Sequence, residues 1–215
     1  MAKLADKVFV FGGSGRVGTE LIKRLVAMGC DVKAAARHPE RIVKMDHVET
    51  DTLDLHASVD QIAKQIEGYP IVYFVAGSRG KDLIQTDAMG AIKTMIASEK
   101  VGVRRYIMLS SALTSEFDKW STFAGEEDYF AAKFFADTYL MDSTTLNYTI
   151  LRPTSLTDEE GTGKIALNNQ DSMENPIPDV AQVLADVLKF PATINKVIEM
   201  TSGSTKVDDA LNSIH

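Results

Sequence analysis

Lys7-Val-Phe-Val-Phe-Gly-Gly-Ser-Gly-Arg-Val-Gly-Thr-Glu20 is the stretch whose reading decides the fold. The apolar run over 8–12 is too short for a helix and has the β-branched and aromatic content of a strand buried on both faces. Gly12, Gly13, Gly15 and Gly18 follow, and then Val17, Leu21, Ile22, Leu25 and Val26 recur at helical spacing until Gly29 closes the segment. The order is strand, tight glycine turn, helix. Such a turn aims the free N–H groups of the first helical residues, with the positive end of the helix dipole, at whatever lies above it. An anion such as a pyrophosphate is favoured there. Gly12 lets the chain turn out of the strand, Gly15 lets a pyrophosphate approach the backbone, and Gly18 lets the helix lie close to the sheet. The spacing is Gly-x-x-Gly-x-x-Gly. The alternative, a glycine-rich turn without a ligand, is outweighed by its place between a strand and a helix.

At 215 residues the chain fits one domain with a real core, and its composition is that of an ordinary soluble globular protein. The net charge is −7, with no basic block and no interleaving of basic and aromatic residues. This argues against a nucleic-acid partner. No apolar run is long enough to span a membrane, and the first six residues do not read as a signal peptide, so no membrane partner is expected. The single cysteine, Cys30, precludes an internal disulfide, points to the cytoplasm, and reads as a small buried residue. His38, His47, His56 and His215 are scattered without metal-ligand spacing, so no metal is expected.

The second strand, over 32–36, carries the evidence on cofactor choice. An NAD-preferring dinucleotide fold places an acid at the C-terminal end of this strand to hold the ribose 2′-hydroxyl. Here Ala36 and Arg37 stand at that place. Asp31 begins the strand, and five residues at ~3.3 Å each put it roughly 16 Å from the cofactor end. Arg37 suits a 2′-phosphate, and Arg16 in the glycine turn is expected to supply a second positive charge. The expected cofactor is NADP rather than NAD.

Further along, a third strand over 48–52 ends in Asp51 and Thr52, which are expected beside the adenine; capping a turn is the other use for Asp51. An amphipathic helix covers 58–66. A fourth strand over 71–75 runs into Ala76-Gly77-Ser78, small enough for a cofactor ribose to pack on the backbone. A helix over 83–99 and a strand over 106–109 follow, the strand ending in Ser110-Ser111. Residues 112–128 read as a mobile polar loop with lone aromatics at Phe117, Trp120 and Phe123, lying over the sheet edge where open α/β sheets bind ligands. Tyr129-Phe-Ala-Ala-Lys133 lies in a helix running to about 141, so Tyr129 and Lys133 share a face. A strand over 148–152 ends at Pro153. It is followed by a glycine-flanked segment over 157–167, a helix over 178–189, a strand over 197–201 and a C-terminal helix with Val207, Leu211 and Ile214. Alternation of strands and helices predicts an α/β fold: a doubly wound parallel sheet in three αβα layers, one domain over 1–215 with a small substrate-side portion from about 153.

Phe11-Gly-Gly-Ser-Gly-Arg-Val-Gly18, Phe74-Val-Ala-Gly-Ser78, 105–111, Tyr129-Phe-Ala-Ala-Lys133 and Tyr148-Thr-Ile-Leu-Arg-Pro153, in that order, resemble the short-chain dehydrogenase/reductase superfamily. More narrowly they resemble its atypical branch of small NAD(P)-binding, epimerase-like proteins. Leu156-Thr-Asp-Glu-Glu-Gly-Thr-Gly-Lys-Ile165 and Asp179-Val-Ala181 fit that branch too. The resemblance implies a Rossmann fold and a Ser–Tyr–Lys site, with Tyr129 as the tyrosine, Lys133 as the lysine, and Ser111 (alternatively Ser110) as the serine. It also implies cofactor contacts from Gly12, Ser14, Gly15, Arg16 and Val17, from Ala76 to Ser78, from Ser110 and Lys133, and from Pro153, Thr154 and Ser155. Two departures stand out. The serine-to-tyrosine interval of 18 residues is long, and the C-terminal portion is much shorter than in sugar-nucleotide epimerases.

A free phenol titrates near pH ~10, and a neighbouring ammonium favours the phenolate. Lys133 is spaced to do this for Tyr129, the proton donor to a substrate oxygen, while the serine holds that oxygen as charge develops. The alternative, an ordinary amphipathic helix, does not account for the Ser-Ser strand end upstream. Glu126-Glu-Asp128 reads as a solvated helix start, and Arg152 as structural. The leading expectation is an NADP-dependent oxidoreductase acting on a small carbonyl or alcohol, as a monomer or weak homodimer. The alternatives are a non-catalytic NADP(H)-binding redox sensor acting through a partner, favoured by the short C-terminal portion, and a sugar-nucleotide epimerase or dehydratase.

Overall fold

The computed structural model describes residues 6–168 and 172–215. The first five residues, part of the stretch read as lacking a signal peptide, lie outside the described residues.

The chain begins with β1 (Lys7–Phe11), α1 (Arg16–Ala27), β2 (Asp31–Ala36) and β3 (Val48–Thr52), the first three joined as the glycine turn and the Gly29 stop require. The second helix, α2 (Val59–Ile66), starts with a reciprocal cap. Ser58 Oγ accepts from the Gln61 N–H, and the Gln61 side chain accepts from the Ser58 N–H. Then come β4 (Ile71–Phe74), a π-helical turn (Leu83–Ala88), α3 (Met89–Val101), β5 (Arg105–Leu109), the short α4 (Phe117–Trp120), α5 (Glu127–Ser143) and β6 (Tyr148–Pro153). The C-terminal part holds β7 (Ser155–Thr157), β8 (Lys164–Leu167), β9 (Glu174–Pro176), α6 (Ile177–Asp186), β10 (Lys196–Ser202), β11 (Thr205–Lys206) and α7 (Val207–Asn212).

Nine strands form one sheet in the order β11-β8-β10-β6-β5-β4-β1-β2-β3. From β3 to β10 every pairing is parallel, and β8 and β11 add an antiparallel edge. The fold is therefore α/β, with a mostly parallel doubly wound sheet. Parallel strands must be covered on both faces, and β4 and β5 are buried along their whole length. One face packs on α1 and α6 through residues such as Leu21, Ile22, Leu25, Val180 and Leu184. The other packs on α2, α3 and α5 through Phe9, Phe11, Ile62, Met95, Ala136 and Leu140. Tyr73, fully buried in β4, donates to the Leu184 carbonyl at 2.9 Å and pins α6 to the sheet.

Three local readings change. The helix expected over 83–99 starts as a π-turn. The aromatics of the 112–128 segment are not isolated. Trp120 stacks on Phe130 at 5.9 Å, Phe123 meets Phe130 edge-on at 5.9 Å, and Phe117 lies against Trp120 and Phe134. The Trp120 indole N–H also donates to the Leu113 carbonyl at 2.9 Å, so this stretch carries its own small core with Ala112 and Leu113. Finally, the segment after β6 builds a separate two-stranded sheet of β7 and β9.

Candidate active site

Strand order reverses between β1 and β4, so the connections leaving their carboxyl ends run to opposite faces and open a crevice between them. The glycine turn forms its floor. Gly12 has φ +94°, and a Cβ there would sit 2.6 Å from the Ala76 nitrogen. A Cβ on Gly18 would sit 2.3 Å from the Gly12 carbonyl oxygen. These two glycines are needed because β1, β4 and α1 meet too closely for side chains. Gly15 is the N-cap residue of α1 and no side chain caps that terminus, which leaves its first N–H groups to an outside acceptor.

The crevice has two compartments that share Gly15, Val75, Ala76, Gly77 and Arg79. The smaller, about 350 Å³, lies over the ends of β2 and β3. Arg37 reaches it as expected, with Ser14, Ala76, Gly77 and Ser78. Arg37 makes no hydrogen bond or ion pair among the described residues, although its charge is felt at Asp82. His38, Arg41 and Lys81 join it there. Arg41 sits on the turn after β2, four positions beyond Arg37, a spacing that could have flagged it. Asp51 and Thr52 do not line this compartment. Lys33 holds the Asp51 carboxylate at 3.0 Å, Asp51 also accepts from the Thr52 N–H, and the wall is made by the next three residues, Leu53, Asp54 and Leu55. The alternation of β3 places Asp51 on the face where Lys33 of the neighbouring strand can reach it. Asp31, at the opposite end of β2, pairs with His47.

The larger compartment, about 650 Å³, lies over β4, β5 and β6 and is walled by α5 and the segment before it. It brings together Ser110, Ser111, Tyr129 and Lys133 with Val17, Pro153, Thr154 and Ser155. Arg16 is here as well, not beside Arg37, because its guanidinium is drawn to Asp158 at 2.9 Å. Lys133 is almost wholly buried. Its ammonium donates to the Leu109 carbonyl at 3.3 Å and lies 5.8 Å from the centre of the Tyr129 ring. One turn further along α5 is Asp137, with no exposed surface, and its carboxylate accepts from Arg152 Nε at 2.8 Å. Burial pushes the Asp137 carboxyl above the ordinary range, while Arg152, Ser110 and Lys133 favour its charged form. Ser110 Oγ lies beside this carboxylate without hydrogen-bond geometry, and Asp137 Oδ1 likewise lacks a donor. Ser110 is nearly inaccessible, whereas Ser111 is half-buried.

Sequence reading missed Asp87. The π-turn carries this nearly inaccessible carboxylate to the cleft wall, where it accepts from the Ser78 N–H at 3.0 Å. Gly77 leaves room for it, since a Cβ there would stand 3.2 Å from Asp87 Oδ1. A π-turn often marks a functional wall, but nothing in the local sequence pattern announces one here.

This crevice, with its uncapped helix terminus and paired compartments, fits a dinucleotide. The model of the NAD(P)H-binding family matches residues 12–191. The chain belongs to that family. Similar proteins within reach of it include the oxidoreductase ylbE from Lactococcus lactis, whose crystal structure superposes with a TM-score of 0.93. That chain is 38% identical, with 97% of this chain and 96% of that one covered. A UPF0659 protein of Saccharomyces cerevisiae is 32% identical, covering 97% of this chain and 98% of its own length. A Bacillus subtilis protein named as an uncharacterized sugar epimerase, YhfK, is 28% identical over 97% of this chain and all of its own. Gly15 of the glycine turn and Ala76–Gly77 lie where the two compartments of the crevice meet.

Proposed function

We propose that this protein is an NADP-dependent oxidoreductase that reduces a small carbonyl compound, or oxidises the matching alcohol, with Tyr129, Lys133 and Ser111. The observation that carries the reading is the convergence of these three on one cavity that opens onto the glycine turn. Reduction of a carbonyl needs a hydride at carbon and a proton at oxygen, and a bound reduced nicotinamide supplies the hydride. Tyr129 gives its hydroxyl proton to the oxygen, and the C=O π pair becomes the new O–H bond. Lys133 stabilises the negative charge left on the tyrosine oxygen, and its burial keeps water from weakening that attraction. Ser111, more accessible than Ser110, donates to the substrate oxygen as charge builds. Pro153, Thr154 and Ser155 line the same compartment.

Cofactor choice follows the smaller compartment. Arg37, which shares the smaller compartment with Arg41 and Lys81, suits a 2′-phosphate, and Asp54 of the same compartment would meet the adenine. Asp87, beside Gly77, offers an acceptor to a ribose hydroxyl. The name of the Lactococcus relative, an oxidoreductase, supports the reading at the level of reaction class.

The test is NADPH oxidation followed at 340 nm against a panel of aldehydes and ketones, in wild type and Tyr129→Phe. Tyr129→Phe is expected to lower turnover about 100-fold or more, as loss of a proton donor does, with NADPH affinity unchanged. Equal rates in the two proteins would remove Tyr129 from the reaction.

A further inference from the structure

Resting on the reading above, we propose that the substrate is an uncharged, largely apolar, ring-bearing carbonyl compound. A nucleotide sugar, a phosphate ester and a carboxylate are excluded. The larger compartment is walled in part by the apolar side chains of Leu113, Phe123, Phe130, Leu156 and Met173. Phe130 is fixed between Trp120 and Phe123, so this wall is rigid and aromatic. A flat apolar ring meets complementary faces there.

The charges point the same way. Three cations line this compartment among the described residues. Lys133 is buried against the Leu109 carbonyl under Tyr129. Arg79 belongs to the wall shared with the smaller compartment. Arg16 is neutralised by Asp158. Only Arg79 has no hydrogen bond or ion pair among the described residues, and it stands on the wall shared with the proposed cofactor compartment, so the apolar wall itself offers a substrate phosphate or carboxylate no partner. The rim is acidic on two sides. Glu126 lines the cavity and is followed by the exposed Glu127 and Asp128; on the Arg16 side Asp158 is balanced by that arginine, and the exposed Glu159 and Glu160 follow it. An approaching anion meets like charge at both edges. The epimerase name of the Bacillus relative therefore does not carry over to this cavity's substrate.

Trp120 is the single tryptophan of the chain and stacks on the cavity wall, so its emission reports occupancy. Two matched probes settle the matter: propiophenone and benzoylformate, which share a phenyl ketone and differ by a carboxylate, with UDP-glucose as a third. NADPH binding is measured first by energy transfer from Trp120. Its absence would overturn the enzyme reading itself, and with it this inference. The three probes are then titrated into protein saturated with NADP⁺. The expected result is saturable quenching by propiophenone, binding of benzoylformate at least about tenfold weaker, and no response to UDP-glucose. In a variant carrying Glu126→Gln, Glu159→Gln and Glu160→Gln, which leaves the Arg16–Asp158 pair intact, the benzoylformate penalty should shrink while propiophenone is unmoved. NADPH binding combined with tighter binding of benzoylformate or UDP-glucose, or with no response to propiophenone, would overturn the inference and leave the cofactor reading standing.

Discussion

In the proposed function, Arg37 is the residue on which cofactor choice turns. It stands at the strand end where an NAD-binding chain carries an acid, and it is unpaired among the described residues. Removing a charge-assisted contact costs about 1.5–3 kcal/mol, so Arg37→Ala should weaken NADP binding about ten- to over a hundredfold and leave NAD nearly unchanged. Calorimetry with both cofactors reads this; an equal fall for the two would shift discrimination to Arg41 or Lys81. Arg152 was read from sequence as structural, and its partner gives that a physical basis. Asp137 is fully buried against it, so Arg152→Ala leaves an unpaired carboxylate and should cost about 3–5 kcal/mol in urea unfolding. The double variant Asp137→Leu with Arg152→Met should recover most of that loss, because an apolar pair needs no counter-charge. Cys30 gives the pH prediction. Burial, with Asp6 nearby adding to it, pushes the thiol up to about 11. The folded state favours the neutral thiol, so this contribution to stability is complete below the ordinary value of 9.0 and is lost as pH climbs toward 11. In native protein at neutral pH, a disulfide reagent should label Cys30 only at the rate of unfolding, measured by release of thionitrobenzoate.

At the scale of elements, the glycine turn is a packing solution as well as the proposed pyrophosphate site. Gly12 combines a positive φ with the backbone of Ala76, just past β4, 2.6 Å from where its Cβ would be, whereas Gly68 has φ +84° with open space around it. Left-handed backbone costs a substituted residue about 1–2 kcal/mol, so Gly68→Ala should lose about that much. Gly12→Ala should lose more and also displace Ala76 from the cleft. Denaturant midpoints together with NADPH affinity separate the two, and similar losses in both would mean that the β1–β4 approach is not tight. The order of strands and helices was legible because a buried parallel strand and an amphipathic helix leave different periodicities. The π-turn at Leu83–Ala88 was not, since one extra residue per turn leaves no signature in a window of hydrophobicity. Nor was the aromatic cluster around Phe130, whose members come from separate elements and meet only through the return of α5 onto the segment before it.

Across the whole molecule, the two ends of the crevice were legible to different degrees. Tyr129, Lys133 and the Ser-Ser strand end could be found because each sits in an ordered, short-range pattern. Position along the chain does not place Asp51 and Arg16, because competing ion pairs decide where they point: Lys33 takes Asp51, and Asp158 takes Arg16. Asp54 and Asp87 escaped notice because their approach to the cleft depends on the loop after β3 and on the π-turn. No helix among the described residues is long and apolar enough to cross a membrane. The central claim is that one nicotinamide cofactor lies across both compartments with its reactive ring beside Tyr129. A crystal structure of the NADP complex tests it most directly. The 2′-phosphate is expected against Arg37, the pyrophosphate on the N–H groups at the start of α1, and the nicotinamide in the larger compartment facing Tyr129 and Lys133. A nicotinamide lying outside that compartment, or a Tyr129 hydroxyl turned away from it, would contradict the account.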